Sequence, residues 1–217
     1  MINSPSNPTG AIYNLDSLKF IRDISQDHNL HIITDEIYKK IVYSGEFHQY
    51  LSVSQSLEKT LVIDGLSKSH AMTGWRIGYS IGSKELISAM NKIQQNVSTC
   101  VNTPTQFAAI KALESDEPTK KMVVEYKERR DKALELIAQC EYLSCNKPEG
   151  AFYLFVKYDG PIDSEELAVR ILQEKGVCVT AGAVFGVTEN YLRISLASDL
   201  ASILEGIKRI NDLLANR

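Results

Sequence analysis

The fold prediction starts from Thr60-Leu-Val-Ile-Asp-Gly-Leu-Ser-Lys-Ser69, where a short apolar run ends abruptly in glycine and small polar residues. A matching stretch, Leu30-His-Ile-Ile-Thr-Asp-Glu-Ile-Tyr38, lies upstream and follows an amphipathic segment at 16–26, for which Asp16 is the predicted N-cap. Short apolar runs that alternate with helical segments are typical of parallel strands buried on both faces. The sequence therefore predicts an α/β fold with a mostly parallel sheet and flanking helices.

The rest of the chain continues this alternation and then changes character. Further helices are predicted at 86–95, 105–114, 120–139, 164–175 and 200–214. Further strands are predicted at 77–82, 150–157, 177–180 and 191–196. We expect residues 1–117 to form part of a large sheet domain and residues 118–217 a smaller α+β domain, with Glu117-Pro118 as the hinge.

Composition excludes several classes of protein. The 217 residues carry 24 Lys and Arg against 27 Asp and Glu, a net charge of −3, so neither nucleic acid nor an anionic membrane is an expected partner. No apolar run is long enough to predict a transmembrane helix. Four cysteines without a regular spacing predict reduced thiols and a cytoplasmic protein, and the four histidines predict no metal site.

Polar clusters follow both apolar runs, where ligands gather in open α/β sheets. Asp35 and Tyr38 follow the first run, and Lys68 follows the second. A carboxylate, a phenol and a lysine in one crevice suggest pyridoxal 5′-phosphate (PLP) chemistry, with Arg76 as a phosphate clamp. Each residue alone has an ordinary alternative: Asp35 as a helix cap, Tyr38 as packing, Lys68 as a surface lysine and Arg76 as an ion-pair partner.

The order of the motifs favours the catalytic interpretation. Asn3-Ser-Pro-Ser-Asn-Pro-Thr-Gly10, Thr34-Asp-Glu-Ile-Tyr38 and Gly65-Leu-Ser-Lys-Ser-His-Ala-Met-Thr-Gly-Trp-Arg-Ile-Gly-Tyr79 resemble the class I/II aminotransferases of fold type I. Tyr191-Leu-Arg-Ile-Ser195 and two other segments, 148–153 and 181–186, extend the resemblance to the C-terminal region in family order.

The resemblance implies roles for the cofactor-binding residues. Lys68 matches the lysine that joins PLP covalently and carries the proton of the substrate α-carbon. Asp35 matches the carboxylate that faces the pyridine nitrogen, while Tyr38 and Asn7 match donors to the ring's phenolic oxygen. The resemblance therefore implies transfer of an amino group between an amino acid and a 2-oxo acid.

It also implies roles at the cofactor phosphate and at the substrate. Ser67 and Arg76 match phosphate ligands, and Arg193 matches the arginine that binds the substrate α-carboxylate in a bidentate pair. No metal is implied. His70, beside the lysine motif, is more simply a packing residue than an acid or base.

The family also carries a long upstream portion that has no counterpart before Asn3. We expect this chain to be the C-terminal part of a longer parent that forms a homodimer, and to be weakly active or inactive alone. Two alternatives stay open: a catalytically incompetent fragment that acts as a binding module, or a PLP-dependent relative that cleaves carbon–sulfur bonds. The sequence does not predict which amino acid is the substrate.

Overall fold

A computed structural model describes residues 1–216 of the chain. These residues form two compact units. Unit 1 contains Met1–Ser6 and Ala11–Lys121, and unit 2 contains Asn7–Gly10 and the described residues from Met122 onward. The short segment Asn7–Gly10 therefore belongs to unit 2 although it lies near the start of the chain.

Unit 1 is built around a four-stranded sheet. Its strands, in chain order, are β1 (Ile2–Asn3), β2 (Ile32–Asp35), β3 (Thr60–Gly65) and β4 (Gly78–Ile81). The order in the sheet is the same as in the chain; β1, β2 and β3 are parallel, and β4 runs antiparallel to β3. The predicted mostly parallel sheet is thus present. β3 and β4 approach closely at Gly65, where an added Cβ would lie 3.1 Å from the Cα of Gly78.

Four helices complete most of unit 1: α1 (Leu15–Asp27), α2 (Tyr50–Ser54), α3 (Lys84–Val97) and α4 (Thr103–Leu113). The N-cap of α1 is Asn14, whose side chain accepts a hydrogen bond from the backbone N–H of Ser17. The prediction of Asp16 as the N-cap was therefore wrong, because Asp16 already lies in the first turn. There a carboxylate stabilises the positive end of the helix dipole.

The long helix α5 (Glu117–Ile137) begins in unit 1 and continues into unit 2. Glu117 and Pro118, which the sequence predicts as a hinge, are its first two residues. Proline is tolerated in the first turn of a helix, because the N–H that it lacks has no intrahelical partner there.

The core of unit 1 includes two small clusters. One contains the buried residues Leu18, Ile32, Tyr50 and Val53, and the other contains Leu66, Met72 and Ala109. The expectation of strands buried on both faces was wrong for β2: Ile33 points away from the first cluster and 38% of its surface is exposed. Within the described residues, one face of this sheet is therefore only partly covered.

Unit 2 is an α+β unit with an antiparallel sheet. Its strands are β5 (Leu143–Cys145), β6 (Tyr153–Tyr158), β7 (Thr180–Ala181) and β8 (Tyr191–Ser195), in the order β5-β6-β8-β7. Helices α6 (Ser164–Lys175) and α7 (Leu200–Ala215) complete it. α7 buries Ile203, Ile207 and Ile210, the spacing of one helical face. No helix among residues 1–216 has the length and apolar character needed to cross a membrane.

Candidate active site

The predicted site residues of unit 1 follow strand ends at one edge of its sheet. Asp35 ends β2 and pairs in register with Ile63 of the parallel neighbour β3. Tyr38 lies in the turn after β2, and Lys68 lies in the turn after β3. Since parallel strands end at the same edge, the turns that carry these residues are adjacent, which is the usual place for a ligand in an open α/β sheet.

Asp35 is held by its backbone and by one carboxylate oxygen. Its main-chain carbonyl accepts hydrogen bonds from the N–H of Ser4 (3.2 Å) and from Nδ2 of Asn3 (3.1 Å). Its Oδ1 accepts from the N–H of Ile37 at 3.1 Å, which fixes the side-chain rotamer. Within residues 1–216, Oδ2 accepts no hydrogen bond, so one oxygen of this half-buried carboxylate is available to a ligand.

The turn that carries Lys68 is fixed on both sides of the lysine. The N–H of His70 donates to the carbonyl of Leu66 (3.1 Å), and the hydroxyl of Thr119 donates to the carbonyl of Ser69 (2.6 Å). Ser69 is buried, whereas Ser67 and Lys68 are half-buried. The backbone is thus rigidly held at this point while the Lys68 side chain stays partly accessible.

His70 is a packing residue of this turn. Its side chain is 5% exposed, and its Nδ1 lies 2.8 Å from the hydroxyl oxygen of Ser69. Burial, followed by the positive charge of Lys40, holds the pKa of His70 below its ordinary value, although Asp116 opposes the shift. The imidazole is therefore neutral at neutral pH, as suits a buried hydrogen-bonding group.

Arg76 follows a 3-10 turn, Thr73–Trp75, that precedes β4. Its backbone is in the left-handed region (φ +53°), and its Nη1 donates to the carbonyl of Thr73 at 2.9 Å. The guanidinium is exposed and lines a cavity of about 570 Å³ together with Trp75. Neither Lys68 nor Asp35 lines this cavity. Arg76 therefore does not share an enclosed cavity with these two residues.

A buried charge cluster in unit 1 was not predicted from the sequence. Asp64 is 4% exposed; it forms an ion pair with Lys39 and accepts hydrogen bonds from the Tyr79 hydroxyl (2.6 Å) and from the N–H of Gly65 (2.7 Å). Burial, and then the bond to Asp64, raises the pKa of Tyr79. The available signal was the acidic residue inside an apolar strand, since a buried carboxylate needs partners.

Glu36, next to Asp35, makes the stability of the fold depend on pH. Its side chain is buried and accepts hydrogen bonds from the N–H of Tyr50 (3.1 Å) and the hydroxyl of Thr34 (3.4 Å). Burial nevertheless raises the pKa of Glu36 above its ordinary value of 4.5. The folded state therefore retains the proton to higher pH than the unfolded state, and stability falls as pH rises from the unfolded to the folded pKa.

We expect the substitution Glu36→Gln to remove this pH dependence. The free energy of unfolding is measured with urea between about pH 4 and pH 7. The difference between variant and wild type should increase with pH in favour of the variant. Glu46→Gln, at an exposed position, is the matched control and should follow the wild type. A parallel dependence for Glu36→Gln and the wild type would contradict the raised pKa.

Unit 2 holds Arg193 on β8 together with Asn7. The guanidinium donates from Nη1 to Oδ1 of Asn7 (2.9 Å) and from Nη2 to the hydroxyl of Thr180 (3.1 Å). Its Cζ lies 4.4 Å from the ring centroid of Tyr153 and 5.1 Å from that of Phe185. Tyr153 and Phe185 lie in the segments 148–153 and 181–186 that carry the resemblance, but their contact with Arg193, like that of Thr180, was not predicted because it depends on strand pairing.

Arg193 is a cation whose partners are neutral. Its Nε is buried without a hydrogen-bond partner, and no acidic side chain within residues 1–216 forms an ion pair with it. A guanidinium held by neutral groups, with unused N–H donors, is suited to a bidentate carboxylate. The geometry of unit 2 therefore fits an anion at this position.

Comparison with known proteins places the chain in a family. The family described as aminotransferase class I and II matches residues 1–210. The aspartate aminotransferase of Thermotoga maritima is 40% identical over 217 residues, which are 100% of this chain and 56% of that protein. The asparagine–oxo-acid transaminase of Streptococcus mutans is 38% identical, over 97% of this chain and 56% of its own length.

Solved structures agree with the sequence comparison. The crystal structure of the Thermotoga maritima aspartate aminotransferase matches 99% of this chain and 56% of its own, with a TM-score of 0.91. The aromatic aminotransferase of Pyrococcus horikoshii matches with a TM-score of 0.93 at 34% identity, over 100% of this chain and 59% of its own. The fold is that of the fold type I aminotransferases, as the motifs predict.

The chain belongs to the class I and II aminotransferase family. Members of this family are generally PLP-dependent and act on amino acids and 2-oxo acids. The chain spans 56% of the length of the two curated relatives described above.

Proposed function

We propose that this chain supplies the lysine-bearing part of a PLP-dependent aminotransferase, which transfers an amino group between an amino acid and a 2-oxo acid. The observation that carries the proposal is the position of Asp35 at the end of β2 and of Lys68 in the turn after the neighbouring β3, at one sheet edge in a chain of this family. Residues 1–117 would belong to the PLP-binding large domain and residues 118–217 to the small domain. In the complete enzyme, a cytoplasmic homodimer is the state to expect.

The donors in unit 1 fit PLP by their chemistry. Lys68 offers an amine to the aldehyde, and Ser67 and Arg76 offer donors to the phosphate. Asp35 offers its Oδ2, which accepts no hydrogen bond within residues 1–216, as an acceptor for a pyridinium N–H. The motif resemblance assigns Tyr38 and Asn7 as donors to the phenolic oxygen. When bound, PLP supplies an electron sink for the bonds at the substrate α-carbon.

The residues then have separate tasks in moving a proton. The Lys68 amine would hold the aldehyde of PLP and, when free, would take the proton from the substrate α-carbon. The Asp35 carboxylate holds a proton at the ring nitrogen. Its fixed rotamer supports this task, because the bond from the Ile37 N–H to Oδ1 leaves Oδ2 for the ring.

Arg193 would bind the α-carboxylate of the substrate. The support is its uncompensated charge: two of its nitrogens are held by Asn7 and Thr180, and no carboxylate of residues 1–216 neutralises it. A substrate carboxylate would supply the missing anion. Aspartate is the amino donor to test first, because one relative at 40% identity is named an aspartate aminotransferase.

We expect Arg193→Met, in a preparation that transaminates, to raise the KM for the amino acid by roughly 100-fold with a smaller fall in kcat. Arg193→Lys keeps the positive charge but loses the paired N–H donors of the guanidinium, so the KM of this variant should rise less. Arg170→Met, which removes a half-buried arginine paired with Glu174 in α6, is the matched control. Loss of bound PLP at an unchanged KM would assign Arg193 to the cofactor instead.

A catalytically incompetent binding module is the second candidate, favoured by the coverage of 56% of the relatives' length. A PLP-dependent carbon–sulfur lyase is the third. Product analysis separates them: formation of a 2-oxo acid together with an aminated acceptor supports the aminotransferase. Release of pyruvate, ammonia and a thiol from a sulfur-containing amino acid would support the lyase, and absence of both reactions would support the module.

A further inference from the structure

Unit 2 contains a buried arginine that the proposed chemistry does not use. Arg130 of α5 is 1% exposed. Its Nη2 forms an ion pair with Oδ1 of Asp131 at 2.7 Å, and its Nη1 donates to the carbonyl of Pro148 at 2.9 Å. Burying a guanidinium is costly unless its hydrogen bonds are made. The contacts to Asp131 and Pro148 offset this cost and stabilise the local structure.

The turn that Arg130 holds receives the segment Asn7–Gly10. The N–H groups of Glu149 and Gly150 both donate to the carbonyl of Gly10, at 3.0 and 2.9 Å. Gly10 has φ +69°, and a Cβ added there would lie 2.3 Å from the Cβ of Pro148 and 2.7 Å from the carbonyl oxygen of Gly150. Only glycine fits this contact, which therefore defines where the segment lies in unit 2.

The same segment carries a direct contact to the candidate substrate arginine. Asn7, three residues before Gly10, accepts a hydrogen bond from Nη1 of Arg193 at 2.9 Å. A continuous series of contacts thus runs from Arg130 through the Pro148–Gly150 turn and Gly10 to Asn7 and Arg193. All of these residues belong to unit 2.

We propose that Arg130 is a positioning residue for Arg193. By fixing the carbonyl of Pro148, it fixes the turn that docks Gly10, and through Asn7 it orients the guanidinium for a carboxylate. Thr180 and the ring of Tyr153 also hold Arg193, so loss of Arg130 should tilt the guanidinium without releasing it. The proposal rests on the proposed carboxylate-binding role of Arg193.

Nuclear magnetic resonance of the 217-residue chain tests the proposal in two stages. The first stage uses no ligand and compares the Arg193 Nε–Hε signal, assigned by its loss in Arg193→Met, and the side-chain amide signal of Asn7. The second stage titrates succinate, a carboxylate that cannot transaminate. The variants are Arg130→Met, Arg130→Lys and Gly10→Ala, with Arg170→Met as the control. Urea unfolding of each variant separates lost stability from lost positioning.

We expect Arg130→Met to shift both ligand-free signals and to weaken succinate binding about tenfold. Arg130→Lys should recover part of both effects, and Gly10→Ala, which acts at the other end of the contact, should reproduce them. In the double variant Arg130→Lys/Gly10→Ala, the effects should be less than additive, because both act through one turn. If Arg130→Met does not fold, Arg130→Lys and Gly10→Ala provide the same comparison.

The experiment distinguishes failure of the positioning role of Arg130 from failure of the carboxylate-binding role of Arg193. Unchanged ligand-free signals and unchanged succinate affinity in folded Arg130 variants and in Gly10→Ala would overturn the positioning role while leaving Arg193 as the carboxylate site. Absence of succinate binding to the wild type would instead count against the role of Arg193. In that case, shifted ligand-free signals in Arg130→Met would still support the mechanical link, and unshifted ones would overturn it.

Discussion

Replacement of Lys68 by alanine should reduce transamination by at least about 10⁴-fold, because the variant loses both the amine that joins PLP and the group that moves the α-proton. The backbone contacts around the turn come from Leu66, Ser69 and Thr119 and do not use the Lys68 side chain, so the fold should persist. Steady-state assays of an active preparation, with circular dichroism to verify folding, measure the effect.

The matched control for Lys68 is Lys84→Ala. Lys84 is an exposed lysine in the first turn of α3, and its loss should leave turnover within about twofold of the wild type, as is usual for surface substitutions. Added methylamine supplies a small amine in solution and should restore part of the activity of Lys68→Ala but add none to Lys84→Ala. Normal turnover by Lys68→Ala would show that another residue moves the proton.

Asp35→Asn should lower kcat by roughly 10³-fold while PLP stays attached to Lys68, because a neutral amide does not stabilise a proton at the ring nitrogen. The local turn should be unchanged, since an amide oxygen can accept the hydrogen bond from the N–H of Ile37 as Oδ1 does. The measurement is a single-turnover assay of α-proton removal, followed with an α-deuterated amino acid.

Asp16→Asn is the control for Asp35, because Asp16 is an exposed carboxylate in the first turn of α1. Its variant should retain the wild-type rate. A wild-type single-turnover rate in Asp35→Asn would mean that this carboxylate does not face the ring nitrogen, and loss of PLP binding would assign it a role in cofactor affinity instead.

The sequence predicted the elements whose signal is local. β2 and β3 were found because short apolar runs end in glycine or in polar residues, and α6 was predicted with its observed bounds, Ser164–Lys175, because Asp163 caps it and Gly176 ends it. β5 (Leu143–Cys145) was missed, since three residues are too few to form an alternating pattern. Of the strand predicted at 177–180, only Thr180 lies in β7, whose extent is set by pairing with β8.

In the candidate site, too, residues in local motifs could be predicted, whereas contacts between distant segments could not. Its residues in unit 1 could be identified because each follows a strand within a recognisable motif. The surroundings of Arg193 could not: Asn7 is 186 residues away in the chain, and Thr180 and Tyr153 reach the guanidinium from two strands that flank β8. Periodicity reports which face of an element is apolar, but it carries no information on which distant elements meet.

Locating the bound cofactor tests whether Lys68 is the lysine that binds PLP. PLP is titrated into the chain while the visible absorption is recorded, and borohydride reduction with peptide mapping then identifies the modified lysine. We predict a saturable absorption band with the label on Lys68. A label on other lysines with Lys68 unmodified would contradict this assignment.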